Sequence, residues 1–404
     1  MNDKSIKPYE RVQLFSGGGS RFGYYLGSYA ALVAYDLTPD IIIGTCGGSL
    51  SAYLVQLASD PKDLQQLMCS RELYHVIASI RHVAPDEASR RLKMRYMTHA
   101  LKRWRLSRQL SKRQAQQQAD SYEQLLDELQ QLAIFRIDDE SQWLKELSRF
   151  DASRNDPDET DSESNKNTPE IAIIASRLYQ KPASHISPNH PLKLQELLFA
   201  PPRLTAPLSE LTDKKMRSPA YIFAEERIHQ SVKVLSQWDF SAAIRASMAD
   251  MYYLPPTYID ELGWCLGGVI NLTPIELACQ LAETVFAETK AGYDSWLAAP
   301  AIQRVFGFDP NRRLAQVHGY QSIEPLYLSN SNLRAQQLHW LPFADNGQQL
   351  VGQHVQKRFN LKQMTVELMH SDYDGFVRQM QAQWQYGYQR TTEYLKAKED
   401  SIRH

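Results

Sequence analysis

Two glycine-rich segments near the N-terminus have the residue types for chemistry. The first, Gly17-Gly18-Gly19-Ser20-Arg21, follows the apolar run Arg11–Phe15. Consecutive glycines let backbone N–H groups converge without side-chain obstruction, and the positive end of a following helix adds to them. Such a loop can hold a phosphate or stabilise an oxyanion, or it can simply turn a strand into a helix. The second, Gly44-Thr45-Cys46-Gly47-Gly48, follows the apolar Ile41-Ile42-Ile43. It has the form of a nucleophile elbow, G-x-S-x-G, with cysteine in the serine position. A thiol at a helix N-terminus gains from the helix dipole. A small buried cysteine in a glycine turn would look the same. Ser49 and Ser51 fall inside the following helix and read as structural.

Gly17, Gly19 and Gly23 also satisfy a dinucleotide-type spacing, G-x-G-x-x-x-G. That fingerprint needs an acid at the end of the second strand to hold the ribose, and this strand ends in Gly44-Thr45-Cys46. A P-loop is excluded because no G-K-[ST] follows the glycines.

The elements that must position these segments are read from apolar periodicity. Residues 11–15 predict a strand, 22–35 a helix, 41–43 a buried strand, and the stretch after Gly48 a second helix. Strand, helix, strand, helix in this order predicts a parallel α/β sheet. Further strands are expected at 170–176, 257–260, 314–318 and 324–328, with helices at 238–247 and 374–397. Thr273-Pro274-Ile275-Glu276 reads as a capping box opening another helix. Residues 61–150 read as a helical insertion without strands, and 151–168 as an acidic, disordered linker. The main α/β domain is then 1–60 plus 169–404.

The chain has 404 residues, 45 Lys plus Arg against 46 Asp plus Glu, and a net charge of −1, which argues against general nucleic-acid binding. Four cysteines without C-x-x-C spacing are no disulfide framework and fit a reducing compartment. The N-terminus lacks a signal-like apolar core and no run is long enough to span a membrane, so the expected location is cytoplasmic. Residues 90–113 hold ten Lys or Arg and no acid, with Met97, Leu101 and Trp104 between them. This stretch reads as a solvated helical face or, alternatively, as a peripheral contact with an anionic membrane.

Taken together, GGGSR after the first strand and GTCGG after the second resemble the patatin-like phospholipase family. Its patterns there are G-G-G-x-R-G and G-T-S-x-G. Phe22 is an extra residue before Gly23, and Gly27 matches a family glycine inside the first helix. Residues 171–176 resemble the family's central strand, 243–249 its A-x-R-A-S segment, 254–256 its F-P-P turn, and 266–278 its D-G-G-x-x-N-x-P-x-x-x-A segment. Leu266, followed by Gly267 and Gly268, stands where the family has its catalytic aspartate. The resemblance covers roughly 1–60 and 170–280.

It implies a three-layer α/β sandwich with a mainly parallel sheet, no metal and no cofactor, and a lipid or other acyl ester as substrate. It also implies Cys46 as nucleophile in an elbow flanked by Gly44 and Gly48. Backbone N–H groups around Gly17, Gly18, Gly19 and Gly47 would form the oxyanion hole, and Arg21 would order the loop or meet an anionic head group. Because Leu266 cannot accept a proton, a substitute base is sought among Asp250, Asp260, Asp345, His318 and His354. The expected function is a lipid acyl hydrolase using Cys46. The alternative is a degenerate scaffold that binds lipid or acyl groups without turnover.

Overall fold

The computed structural model describes residues 7–83, 122–140, 142–147, 168–179, 193–204, 217–250, 252–293, 295, 298–320, 337–360 and 365–403. In chain order the first half holds β1 (Tyr9–Ser16), α1 (Gly23–Ala34), β2 (Ile41–Thr45), α2 (Gly47–Leu57), α3 (Pro61–Met68), α4 (Arg71–Ala78) and β3 (Ile80–His82). It continues with α5 (Tyr122–Leu132), β4 (Phe135–Ile137), β5 (Glu170–Tyr179), β6 (Lys193–Phe199) and β7 (Lys233–Leu235). Then come α6 (Phe240–Met248), β8 (Thr257–Ile259), β9 (Gly263–Cys265), α7 (Ile275–Leu281), β10 (Ala282–Glu288), α8 (Ala298–Phe306) and α9 (Pro310–His318). The last elements are β11 (Gln337–Leu341), α10 (Asn346–Gln349), β12 (Gln356–Asn360), β13 (Thr365–Met369) and α11 (Tyr373–Arg403).

The main sheet runs in the order β11-β10-β1-β2-β5-β6-β7. All neighbours in it are parallel except β5 and β6. Alternation of side chains across the strands fills two apolar layers. Phe15, Ile42 and Ile173 face α1, α2 and α11, while Val12, Leu14, Ile41, Ile43 and Ile174 face the layer containing α7 and α8. The result is the three-layer sandwich expected from the sequence. β2 is buried on both faces, which is why its three isoleucines show no alternation with polar residues.

Register does the positioning. Ser16 pairs with Thr45, and Thr45 with Ile174, so the two glycine segments leave the sheet side by side at the carboxyl ends of their strands. In open α/β sheets that edge is where crevices form.

Three expectations need correction. Residues 314–318 are not a strand but the end of α9. Asp309 caps that helix by accepting the Asn311 N–H at 2.9 Å, and Pro310 occupies its first turn. The window was too short to show the helical stripe of Leu314 and Val317, whereas the Asp-Pro pair was the better signal. The insertion contains strands as well as helices, since β3 and β4 form an antiparallel pair. Thr273 makes no capping box: α7 begins at Ile275 without a side-chain cap, and Glu276 instead pairs with buried Arg313 at 2.6 Å. The strand expected at 324–328, the basic stretch 90–113 and the linker 151–167 lie outside the described residues.

Helix α11 crosses α1 with backbones in contact. A Cβ added at Gly387 would lie 1.9 Å from the Tyr24 carbonyl oxygen. Only glycine permits that approach without separating the helices. Gly387→Ala is expected to lower stability by about 3 kcal/mol, with the unfolding midpoint in urea as the measurement.

Candidate active site

The elbow is strained as its shape requires. Cys46 has φ 51° and ψ −127°, a region that non-glycine residues seldom occupy. Three hydrogen bonds hold it there. Its N–H donates to Ser247 Oγ at 2.8 Å, and its carbonyl accepts from Ser49 N–H at 3.0 Å and Ser49 Oγ at 2.5 Å. Ser247 in turn donates to the Ile174 carbonyl at 2.6 Å, which ties the elbow to β5. Gly48 lets the start of α2 press on β1, because a Cβ there would sit 1.8 Å from the Phe15 carbonyl oxygen. Ser51 donates to the Phe22 carbonyl at 3.0 Å. Ser49 and Ser51 are therefore structural, as their place in the helix suggested.

Beside the elbow, Gly17, Gly18 and Gly19 all have positive φ, at 98°, 95° and 55°. A Cβ on Gly47 would lie 3.0 Å from the Gly19 nitrogen, so the loop passes directly over the residue after Cys46. The N–H groups of Gly18 and Gly19 make no hydrogen bond among the described residues. The loop is clamped from α11 by Gln383, which is fully buried. Its Oε1 accepts the Gly23 N–H at 2.8 Å, and its Nε2 donates to the carbonyls of Ser20 at 3.2 Å and Gln353 at 2.6 Å.

The Cys46 thiol and the Asp250 carboxyl line the same cavity and interact electrostatically. Asp250 follows the end of α6, is buried, and has Oδ1 without a hydrogen-bond partner. Burial pushes this carboxyl up to about 7, against the Cys46 thiol and the backbone N–H groups of Gly268 and Val269, which favour its charged form. Burial, and then the charge of Asp250, push the thiol well above its ordinary value; the Gly47 N–H and Lys290 pull the other way.

Leu266, at the aligned aspartate position, is 1% exposed and packs in the apolar layer, its N–H donating to the Ser176 carbonyl. The next residue makes room for Asp250: a Cβ on Gly267 would fall 2.2 Å from Asp250 Oδ1. Gly268 is packed against the Ile174 carbonyl and Ser247 Oγ.

The other candidate bases are placed elsewhere. Asp260 lies in the exposed turn between β8 and β9. Asp345 accepts from Tyr386 and pairs with Arg390 at 2.9 Å. His318 accepts the Lys290 N–H at 3.1 Å. His354 lines the cavity but is hydrogen-bonded to the Leu350 carbonyl.

Cys46 opens onto a cavity of about 810 Å³. Its apolar wall includes Ile77, Ile80 and Phe135 from the insertion and Leu254, Leu272 and Leu368 from the main domain. Arg21, Lys290 and Lys357 also line it, and Asp250 is the one carboxylate among the lining residues described. Lys290 pairs with Glu288 at 2.8 Å, and buried Glu288 also accepts from Tyr24 and Tyr25. Lys357 lies over the Tyr253 ring, 4.3 Å from its centroid. Lys290, Lys357 and Gln383 were not singled out from sequence, and only the fold brings them here. Asp250 carried a faint signal, as the lone acid in the otherwise apolar run before Leu254-Pro255-Pro256.

A model of the family described as patatin-like phospholipase matches residues 14–279, about two thirds of the chain. The chain belongs to the patatin-like phospholipase family. The match takes in both glycine segments, Asp250 and Leu266, and stops before β10 and α11. A patatin-like phospholipase domain-containing protein of Aspergillus clavatus is 39% identical over 71 residues, which is 17% of this chain and 10% of that relative. The chain thus spans about a tenth of that relative's length. The solved structure of VipD from Legionella pneumophila matches with 12% identity and a TM-score of 0.36, covering 97% of this chain and 68% of that one. Cys46 stands at the elbow, Leu266 is packed in the core, and Asp250 lies against Gly267 on the same cavity.

Raising the Asp250 carboxyl from 3.8 to about 7 has a cost in stability with a definite sign. The folded state holds this proton more tightly than the unfolded state. The contribution is full below about pH 4 and is lost as pH rises through 7. Asp250→Asn removes the burial of a charge, so the variant should gain on the wild type as pH rises from 5 to 8, by about 3 kcal/mol. Urea unfolding at several pH values measures this.

Proposed function

We propose that this protein hydrolyses lipid acyl esters through a Cys46–Asp250 dyad. The observation that carries the reading is the strained Cys46 lining an apolar cavity together with buried Asp250, whose charge acts on the thiol. The Asp250 carboxylate takes the thiol proton as sulfur attacks the acyl carbonyl carbon. The N–H groups of Gly18, Gly19 and Gly47 receive the oxyanion. Asp250 returns the proton to the departing group, leaving an acyl thioester on Cys46. Asp250 then takes a proton from water, hydroxide attacks the thioester carbonyl, and the carboxylic acid leaves as Cys46 regains its proton. The apolar wall suits an acyl chain, and Arg21 and Lys290 suit an anionic group on the other side of the ester.

A second reading is binding without turnover. It is favoured by the elevated thiol and by the loss of the family's aspartate at position 266. Hydrolysis of a series of p-nitrophenyl acyl esters and of phospholipid vesicles decides between them. Cys46→Ala should abolish turnover, and Asp250→Asn should lower kcat by about 100-fold or more. The wild-type kcat/KM should rise as pH climbs through about 7, because the base is the ionised carboxylate. Equal rates in wild type and Cys46→Ala would leave only binding.

A further inference from the structure

The chemistry of a sulfur nucleophile in this cavity narrows the substrate class. Building on the thiol acyl chemistry above, we propose that the preferred acyl donor is a thioester, R–CO–S–R′, whose carrier thiol bears anionic groups. The argument rests on what happens after attack.

An alkyl oxoester gives a tetrahedral centre with one sulfur and one alkyl oxygen as candidates to leave. A thiol has a pKa near 8.5, whereas an alcohol lies close to water at about 16. The sulfur therefore departs first and regenerates substrate, unless the oxygen is protonated before it can. The carboxyl among the described lining residues that could supply that proton is Asp250, which packs against Gly267 on the side of Cys46. His354 and His370 also line the cavity, but their rings are hydrogen-bonded to the carbonyls of Leu350 and Ile80. A thioester donor removes the handicap. Both candidates to leave are then sulfurs of similar basicity, and the centre partitions forward as readily as back.

The step balances without any other reagent. The Cys46 Sγ–C bond forms and the C–S bond to the carrier breaks. The thiol proton moves to Asp250 and on to the departing sulfur, giving HS–R′. Water then releases R–COOH.

The walls fit the same donor. The apolar residues from the insertion and the main domain accommodate an acyl chain. Arg21, Lys290 and Lys357 put three basic side chains around a cavity whose described lining has one carboxylate, Asp250, with Glu288 behind the wall offsetting Lys290. Arg21 makes no ion pair among the described residues. A carrier with phosphate groups would meet that positive rim, whereas a neutral carrier would not.

The test compares matched octanoyl donors on the full chain: octanoyl-coenzyme A, the neutral thioester octanoyl-N-acetylcysteamine, methyl octanoate and p-nitrophenyl octanoate. The expected kcat/KM for octanoyl-coenzyme A exceeds that for methyl octanoate by about 100-fold or more. KM should be lower for the coenzyme A ester than for the neutral thioester. In Cys46→Ser the advantage of thioester over methyl ester should shrink by at least about tenfold, because oxygen then competes with oxygen. A methyl ester used as well as the thioesters would overturn the thioester preference, and equal KM for the two thioesters would overturn the anionic carrier. Mass spectrometry of the protein after p-nitrophenyl octanoate separates these results from failure of the dyad itself. If Cys46 takes up no octanoyl group even from this activated ester, and no donor turns over, both readings fall.

Discussion

The site depends on how closely the start of α2 can approach the end of β1. At Gly48 the two backbones meet with no room for a side chain, 1.8 Å separating a would-be Cβ from the Phe15 carbonyl oxygen. This contact fixes the turn at Cys46, forces its positive φ, and brings Gly47 under the glycine loop that follows β1. Parallel register supplies the rest, because Ser16 opposite Thr45 brings both loops out at one height. A looser approach would leave the same residues in sequence but the thiol and the free N–H groups too far apart to act on one carbonyl.

The dyad reaches this geometry by an unfamiliar route. The carboxyl beside the nucleophile comes from the end of α6 instead of the Gly267-Gly268 loop, yet it occupies space that this loop leaves open. Leu266 has become a core residue and Gly267 accommodates Asp250. Position in the fold, more than position in the sequence, decides which acid lies beside Cys46. Burial sets the protonation of both partners, so the substitution of sulfur for oxygen and the movement of the acid belong to one electrostatic arrangement.

Much of this was legible in the residues. Both glycine segments, the buried triple isoleucine and the long C-terminal helix announce themselves through spacing and period. Helix α9 was missed because five residues are too few to show a period of 3.6, although Asp309-Pro310 marks its start. The capping box failed because Glu276 was needed for buried Arg313, a partner 37 residues away that no local pattern contains. Asp250, Lys290 and Gln383 converge from separate elements, and a single sequence does not encode such distances. Leu266 could be read as a loss; only the packing around Gly267 shows which acid lies next to it.

Gln383 gives the boundary of the family match a physical meaning. The stretch 14–279 contains Cys46, Asp250 and the three loop glycines, yet β1 borders β10, and the glycine loop is tied to α11 by the two ends of one amide. A fragment cut at residue 279 would keep all the reacting atoms and expose β1 as a sheet edge with its loop untethered. The smallest unit able to hold the site in this geometry is therefore larger than the family match, and the C-terminal helix is part of its support.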